Sequence, residues 1–232
     1  MPHDGDSYLA KERVRAHMWE LLDQAMVNMD GPGGIPNFMG AEHAAERLTR
    51  LPEWQDARVI KVNPDDAQMP VRRRALQEGK HVYVAVPRLE LEYPFVQLDP
   101  EQPGERMRTG IAMRLSEMRP VDLVVSGSLA VNRNGARVGK GAGYTDIELG
   151  LLMDAGLIDG NTPVASTVHD LQVMDEELPR CSFDFELSII VTPTTVIRVE
   201  NPSPSPGIVW SEIDPKQVAA IPVLGQLRFK RG

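Results

Sequence analysis

The sequence predicts an α/β protein built on a mainly parallel sheet with helices on both faces. Stretches of helical periodicity alternate with short β-branched stretches along most of the chain, which is the order that βαβ units require. The length of 232 residues and the apolar fraction of 42% suffice for a sizeable core. The 19 glycines and 19 prolines stay below the level of low-complexity chains, so we expect a folded protein.

Four stretches carry the signs of helices. In the first, apolar residues such as Val14, Met18 and Leu22 recur every three or four positions and leave one buried stripe. Glycines follow it at residues 31–34 and end the helical pattern. The predicted helices are residues 8–28, 41–51, 71–77 and 144–157.

Strands are predicted where β-branched and other apolar residues form short runs closed by turn residues. The last two predicted strands form an antiparallel pair, and a turn at residues 132–135 makes a hairpin. Residues 89–120 give a mixed signal. The predicted strands are residues 57–62, 81–86, 121–131, 163–168, 187–191 and 195–199.

The chain divides into one domain and a tail. Residues 1–200 hold the alternating pattern and form the predicted α/β domain. Residues 201–206 read Asn-Pro-Ser-Pro-Ser-Pro, which is typical of an extended, stiff spacer. We expect this linker to lay the apolar part of the tail, residues 208–227, across the domain or a partner subunit. The oligomeric state is left open.

Charge and cysteine content exclude several classes of function. The chain has 25 Lys and Arg against 33 Asp and Glu, a net charge of −8, so phosphate is repelled at long range and no nucleic-acid partner is expected. A phosphate contact would have to come from a local cluster of cations. The single cysteine, Cys181, excludes an intramolecular disulfide and favours the reducing cytoplasm. No signal peptide and no membrane-spanning run is visible.

A glycine-rich segment carries the strongest functional signal. Three glycines alternate within residues 139–143, between the hairpin and a predicted helix, so a bulky anion can approach the backbone and the free N–H groups of the helix. Arg137 and Lys140 add positive charge. Asp146, in the first turn of the helix, can hold a magnesium ion or simply complement the helix dipole. On these residues alone, a flexible turn remains an equal alternative.

Residues 137–146 read Arg-Val-Gly-Lys-Gly-Ala-Gly-Tyr-Thr-Asp and resemble the Arg-Leu-Gly-x-Gly-x-Gly-Tyr-Tyr-Asp signature of 5-formyltetrahydrofolate cyclo-ligases, also called methenyltetrahydrofolate synthetases. Residues 122–131 and 183–192 resemble the blocks on either side of that signature. Lys11 and Arg15 match the family's N-terminal Lys-x-x-x-Arg. The four blocks occur in the family's order and cover roughly residues 10–200.

Four further segments resemble one branch of that family, the methenyltetrahydrofolate synthetase domain-containing proteins. They carry the resemblance almost to the C-terminus. Some members of the branch bear an RNA-recognition module, for which this chain has no counterpart, so the likeness implies no RNA role. The segments are residues 35–41, 61–65, 168–173 and 207–211.

The resemblance implies a three-layer α/β/α fold with a Rossmann-like sheet. It also implies the conversion of 5-formyltetrahydrofolate to 5,10-methenyltetrahydrofolate with ATP and Mg²⁺ as cofactors. In that reaction the γ-phosphoryl group moves to the formyl oxygen and N10 attacks the activated carbon. Such chemistry depends on neutralising phosphate charge and on holding two ligands in line.

The resemblance also implies a role for each matching residue. The implied nucleotide-binding residues are Lys11, Arg15, Arg137, Gly139, Lys140, Gly141 and Gly143. The implied magnesium ligands are Asp146 and Asp184. The implied substrate-binding residues are Asp65 and Tyr144, and the implied catalytic residues are Lys140 and Tyr144.

Departures from the family pattern lie on the folate side and keep two alternatives open. Asp65 stands for the glutamate that grips the pterin, and Thr145, Phe183 and Ser188 stand for Tyr, His and Asp. One alternative is a nucleotide- or phosphate-binding paralogue without folate turnover, serving regulation or assembly. The other is an enzyme with a different acceptor, since sugar-phosphate isomerases and CoA transferases are associated with the same fold.

One further pair of residues, His169 and Asp170, follows a predicted strand. Ligands of α/β sheets bind at the carboxyl ends of strands. The pair is therefore either a general base with its orienting carboxylate or a loop histidine whose hydrogen bonds are satisfied locally.

Overall fold

A computed structural model describes residues 5–99 and 110–231 of the protein. Its helices are α1 (Gly5–Gln24), α2 (Ala41–Thr49), α3 (Pro52–Asp56), α4 (Met69–Gln77), α5 (Tyr144–Asp154), α6 (Pro215–Ala220) and α7 (Pro222–Arg231). Its strands are β1 (Val59–Val62), β2 (His81–Ala85), β3 (Phe95–Gln97), β4 (Ile111–Met113), β5 (Leu123–Ser126), β6 (Ala130–Asn132), β7 (Arg137–Val138), β8 (Val164–Thr167), β9 (Val173–Met174), β10 (Ile189–Val191) and β11 (Val196–Arg198). Within these ranges no helix has both the length and the apolarity to cross a bilayer.

Eight strands form one sheet in the order β11-β10-β8-β5-β1-β2-β3-β4. The five strands from β10 to β2 in that order pair in parallel, whereas β11, β3 and β4 add antiparallel edges. Three further strands form a small second sheet in the order β7-β6-β9. The predicted α/β fold with a mainly parallel sheet is confirmed.

The large sheet is covered on both faces by apolar clusters. Ile60 and Val62 of β1 face the cluster that α2, α3 and α4 complete. Val59 faces the opposite cluster, which contains residues of α5 and α7. Because successive side chains of a strand point to opposite faces, strands covered on both sides are apolar almost throughout. The sheet is thus the middle layer of an α/β/α arrangement.

Helix α1 packs outside this arrangement, on the small sheet. Met18 and Leu22 are fully buried in a cluster with Leu129 of the β5–β6 connection and Val138 of β7. The apolar stripe of α1 therefore lies against the hairpin that leads into the glycine-rich segment. This packing brings the polar side of α1 close to that segment.

The single strand predicted at residues 121–131 is wrong: the segment forms β5 and β6, which belong to different sheets. The chain leaves the large sheet at Gly127, whose carbonyl oxygen accepts a hydrogen bond from Arg137 Nη2 at 3.2 Å. The hydroxyl of the following residue, Ser128, lies 2.8 Å from the hydroxyl of Ser166. Residues 123–131 are all buried, so burial continues through the break, which falls at the polar stretch Ser126-Gly127-Ser128.

The segment after β11 packs along α5. Ile208 and Leu224 are buried in the cluster to which α5 contributes. Gly150, in the middle of α5, permits this contact, because a Cβ there would lie 2.8 Å from Ile208 Cδ1 and 3.0 Å from the backbone of Gly207. The division of the chain at residue 200 into a domain and a tail stays a prediction.

A buried ion pair joins the central strand to α5. The side chain of Lys61 in β1 is fully buried and pairs with Glu148, whose side chain is 7% exposed. Lys61 Nζ also donates to Asn63 Oδ1 at 2.5 Å. An ammonium in an apolar interior requires such partners, because unpaired buried charge is costly. The pair therefore sets the position of α5 relative to the sheet.

We expect Lys61→Met to lower the free energy of unfolding by about 3–5 kcal/mol, since Glu148 would be left buried without its partner. Chemical denaturation measures this loss. The double variant Lys61→Met/Glu148→Leu should recover much of it, because it removes both charges. Arg50→Ala, which breaks an exposed pair with Glu46, is the matched control and should cost less than about 1 kcal/mol. A loss as small for Lys61→Met as for the control would contradict the role given to the buried pair.

Candidate functional site

The topology places a crevice between β1 and β5. From β1 the chain first adds β2 on one side and later adds β5 on the other, so the strand order reverses at β1. Ligands of parallel α/β sheets bind outside the carboxyl ends of strands at such a point. Here those ends lead into Asn63 and Asp65 on one side and Gly127 on the other.

The glycine-rich bend, residues 139–143, runs from β7 into α5 beside this crevice. Gly141 and Gly143 have φ angles of +102° and +70°, which a residue with a side chain adopts with strain. Gly143 is the N-cap of α5 and supplies no side-chain cap to the first-turn N–H groups. A Cβ at Gly141 would lie 3.2 Å from the guanidinium of Arg15. The bend thus exposes backbone donors next to a cation, which suits an anion.

Four cations surround the bend. Arg15 of α1 donates from Nε to the carbonyl oxygen of Gly139 at 2.9 Å and so holds the bend against α1. Arg137 of β7 is buried and pairs with Asp146. Its Cζ atom lies 4.8 Å from the centre of the Phe185 ring. The four cations are Lys11, Arg15, Arg137 and Lys140.

Two carboxylates face the bend. Asp184 pairs with Lys11 at 2.5 Å and accepts a hydrogen bond from the backbone N–H of Cys181 at 2.7 Å. Asp146 pairs with Arg137 at 3.3 Å. Burial raises the pKa of Asp146 above its ordinary value; Arg137 and Lys11 oppose the rise, and the charge of Asp184 adds to it. Each carboxylate therefore lies within the electrostatic reach of the other.

Asp65 reaches the bend from the end of β1. Its carboxylate lies 3.2 Å from Lys140 Nζ. Arg72 of α4 fixes the backbone here, because its Nη1 donates to the carbonyl oxygens of Asn63 and Asp65. Burial lowers the pKa of Arg72 to about 10 even though Asp65 and Asp66 oppose the change, so the guanidinium is charged at neutral pH.

The structure brings the residues singled out in the sequence into one cleft of about 90 Å³. Asp65 is the exception, since it contacts this group only through Lys140. The residues that line the cleft are Lys11, Arg15, Arg137, Gly139, Lys140, Gly141, Gly143, Tyr144, Asp146 and Asp184, together with Tyr8, Ala142, Thr145, Cys181 and Phe183. The roles assigned to them remain predictions.

The sequence assigns no role to three residues near the site, although it marks one of them, Thr145, as a departure from the family signature. Tyr8 lies three positions before Lys11 on α1, and this helical spacing could have placed it on the same face. Thr145 accepts a hydrogen bond from Asn63 Nδ2 at 3.1 Å and ties α5 to β1. Gln68 is fully buried and bonds Thr167, while its Oε1 has no partner among the described residues. No sequence signal marks Gln68.

His169 and Asp170 do not form a base with its carboxylate. The Asp170 carboxylate is hydrogen-bonded by the hydroxyls of Thr192 and Thr194. His169 Nδ1 accepts from the N–H of Leu171 at 3.2 Å, and burial lowers the pKa of its imidazole, with Asp170 opposing. Of the two interpretations left open by the sequence, the locally satisfied loop histidine agrees with these contacts.

A larger hollow, of about 480 Å³, lies at the opposite ends of the strands. Three of its four acidic residues hold the fold together. Asp122 accepts hydrogen bonds from the N–H groups of Arg58 and Val59, and Asp159 accepts one from the N–H of Thr162. Glu53 forms an ion pair with Arg198. We therefore assign the candidate site to the cleft at the glycine-rich bend, although it is smaller.

The carboxylates of the cleft fit a magnesium ion that a phosphate ligand shares. Mg²⁺ is commonly held by one or two carboxylates together with substrate phosphates. Asp146 and Asp184 supply two carboxylates whose charges affect one another. Within residues 5–99 and 110–231, no three His, Cys, Asp or Glu side chains gather as a metal site. Oxygen atoms from a ligand would have to complete the coordination.

A parallel sheet with a cation-lined, glycine-rich bend at the start of a helix is typical of α/β proteins that bind phosphate groups. The sequence profile of the 5-formyltetrahydrofolate cyclo-ligase family matches residues 8–193. The chain belongs to that family.

Relatives and one solved structure agree with this assignment. The methenyltetrahydrofolate synthase domain-containing proteins of Bos taurus and Mus musculus are each 36% identical, over 96% and 95% of this chain. The chain spans 63% of the length of each. The NMR structure of Aquifex aeolicus 5,10-methenyltetrahydrofolate synthetase has a TM-score of 0.55 and 18% identity, and the match covers 84% of this chain and 93% of that one. At that identity the likeness concerns the fold.

We expect NMR titration to give Asp146 a pKa above its ordinary value, because burial disfavours the carboxylate. In Asp184→Asn the pKa of Asp146 should fall, since a charge that raises it is gone. The folded protein holds this proton more tightly than the unfolded chain does. The wild type should therefore lose stability as the pH rises from the ordinary pKa of an aspartate through the raised pKa of Asp146 in the folded protein. Over this range its free energy of unfolding should decline relative to that of Asp146→Asn. A pKa of Asp146 at or below the ordinary value would contradict the geometry.

Proposed function

We propose that the protein converts 5-formyltetrahydrofolate to 5,10-methenyltetrahydrofolate with ATP and magnesium. Family membership supports a cyclo-ligase, and one observation carries the proposal for this chain. Backbone donors of the glycine-rich bend, four cations and two carboxylates converge on a single cleft. Phosphoryl transfer needs this combination, because its catalysis consists mainly of positioning and charge stabilisation.

The nucleotide half of the proposal rests on charge and backbone geometry. Arg15 fixes the bend by its bond to Gly139, so the N–H groups of the bend and of the first turn of α5 are oriented before a ligand arrives. Lys11 and Lys140 carry ammonium groups that phosphate oxygens would approach. When bound, magnesium would neutralise phosphate charge between Asp146 and Asp184. Removal of water from the cleft strengthens each of these contacts.

The acceptor half rests on Asp65 and Tyr144. Asp65 lies 3.2 Å from Lys140, so a group held by Asp65 would be next to the phosphates that Lys140 contacts. Tyr144, the first residue of α5, lines the cleft and is partly buried against the core. We propose that Asp65 accepts hydrogen bonds from the acceptor and that Tyr144 packs on it. Lys140 would then stabilise the charge that moves to the formyl oxygen.

A different acceptor is the second candidate, and two side chains favour it. Thr145 replaces a residue of the family signature, Phe183 replaces one of the block at residues 183–192, and both line the cleft. Lys11 Nζ lies 5.5 Å from the centre of the Phe183 ring. Ser188, in contrast, bonds the backbone of Val164 at the start of β8, outside the cleft. That departure therefore has no bearing on the acceptor.

The direct test follows the absorbance of the methenyl product from 5-formyltetrahydrofolate with magnesium and ATP. We expect product formation that requires both ATP and magnesium. If ATP binds but no product forms above the blank without enzyme, the activity proposed here is wrong. The candidates that remain are then a different acceptor or a nucleotide-binding protein without turnover.

Lys140→Ala and Asp146→Ala should each weaken binding of the magnesium–ATP complex at least about tenfold, or about 1.4 kcal/mol, because each removes a charge at the bend. Isothermal titration calorimetry measures the affinity. Arg133→Ala, which removes an exposed cation of the hairpin turn, is the control and should leave it unchanged. Wild-type affinity in both folded variants would mean that the bend does not hold the phosphates.

A further inference from the structure

A second hollow, of about 140 Å³, adjoins the cleft on the side of the C-terminal segment. The two spaces share one wall, which consists of Tyr8, Gly141, Ala142, Gly143, Asp146 and Phe183. The opposite wall comes from Val209, Glu212, Ile213 and Gln217. That wall, called the tail wall below, lies beyond residues 8–193, which the family profile matches.

The tail wall is held in place by contacts with the bend and with α5. Gln217 Nε2 donates to the carbonyl oxygen of Ala142, within the bend, at 2.9 Å. Asp214 caps α6, since its Oδ1 accepts from the N–H of Lys216 at 2.8 Å. Upstream, Ile208 packs against the bare backbone of Gly150. The hollow therefore has two walls that are both fixed relative to the phosphate-binding bend.

The side chains of the tail wall disfavour an anion. Val209 and Ile213 supply an apolar surface, to which Phe183 adds a ring. Glu212 adds a partly buried carboxylate that makes no hydrogen bond or ion pair with the part of the chain that the structure describes. A carboxylate repels phosphates and the glutamate end of a folate, but it accepts hydrogen bonds from an amino group. The hollow thus suits an uncharged aromatic ring that carries an amino group.

We propose that this hollow receives the base of the nucleoside triphosphate and that Glu212 accepts a hydrogen bond from its exocyclic amino group. The inference rests on the function proposed above, because it takes the phosphates to lie at the bend. Continuity of the two spaces supports it, since a base is joined to its phosphates through one ribose. The tail wall would then decide which nucleotide is used, and ATP would be preferred over ITP, which carries an oxygen in place of the amino group.

The test compares magnesium complexes of ATP, ITP and tripolyphosphate by calorimetry on the full chain. Tripolyphosphate reports on the bend alone. We expect ATP to bind at least about tenfold more tightly than either of the others. Val209→Trp should fill the hollow and lower the affinity for ATP to the level of the affinity for tripolyphosphate. The affinity of this variant for tripolyphosphate should differ from that of the wild type by less than about twofold.

A conservative variant tests the hydrogen bond without altering the shape of the hollow. Glu212→Gln should reduce the preference for ATP over ITP, because an amide can also donate to the oxygen of ITP. Glu200→Gln, at an exposed position outside the hollow, is the matched control and should leave the preference unchanged. Thermal unfolding confirms that each variant is folded. If Val209→Trp does not fold, the preference of Glu212→Gln for ATP over ITP tests the inference by itself.

Three results would overturn the inference. If tripolyphosphate binds as tightly as ATP, the tail wall contacts no base, while the bend stays a phosphate site. If Val209→Trp weakens 5-formyltetrahydrofolate instead of ATP, the hollow holds the folate. If neither ATP nor tripolyphosphate binds the wild type, the function proposed for the bend is wrong as well.

Discussion

Charge balance around the glycine-rich bend is the constraint on which the rest of the structure depends. Cations and carboxylates from distant parts of the chain meet there, and the buried cations, Lys11, Arg15 and Arg137, would be costly to bury alone. They form three ion pairs, which connect α1, the hairpin, the bend and the end of β1. The pairs are Lys11–Asp184, Arg137–Asp146 and Lys140–Asp65. Phosphate oxygens carry negative charge as these carboxylates do and can pair with the same cations.

The sheet determines where this charge cluster lies. Lys61 and Glu148 join the central strand to α5 through the apolar interior, and Asn63 adds a hydrogen bond to Thr145 in the first turn of that helix. Because these contacts are buried, the N-terminus of α5 has little freedom relative to the carboxyl end of β1. Donors that are already oriented need no rearrangement as charge develops on a substrate. The polar contacts of Lys61 and Asn63 with α5 thus keep the first turn of that helix in place beside the cleft.

Much of the fold and part of the site could be predicted from the sequence, for physical reasons. Strands β1, β2 and β8 are covered on both faces, so short apolar runs mark them, and the glycine motif marks the bend. The break between β5 and β6 coincides with Ser126-Gly127-Ser128, but so short a polar stretch does not show that the next strand joins another sheet. Pairs such as Lys61–Glu148 join residues far apart in sequence, and nothing local signals them. Whether a side chain such as Ser188 faces the cleft depends on tertiary packing, which the spacing of motif blocks does not contain.

A crystal structure with magnesium and a non-hydrolysable ATP analogue tests the central claim most directly. We expect phosphate oxygens within about 3 Å of the backbone N–H groups of residues 141–143 and of the Lys140 ammonium. We also expect the metal to be held by Asp146 and Asp184. An analogue bound elsewhere, with the bend empty and the three ion pairs unchanged, would contradict the account.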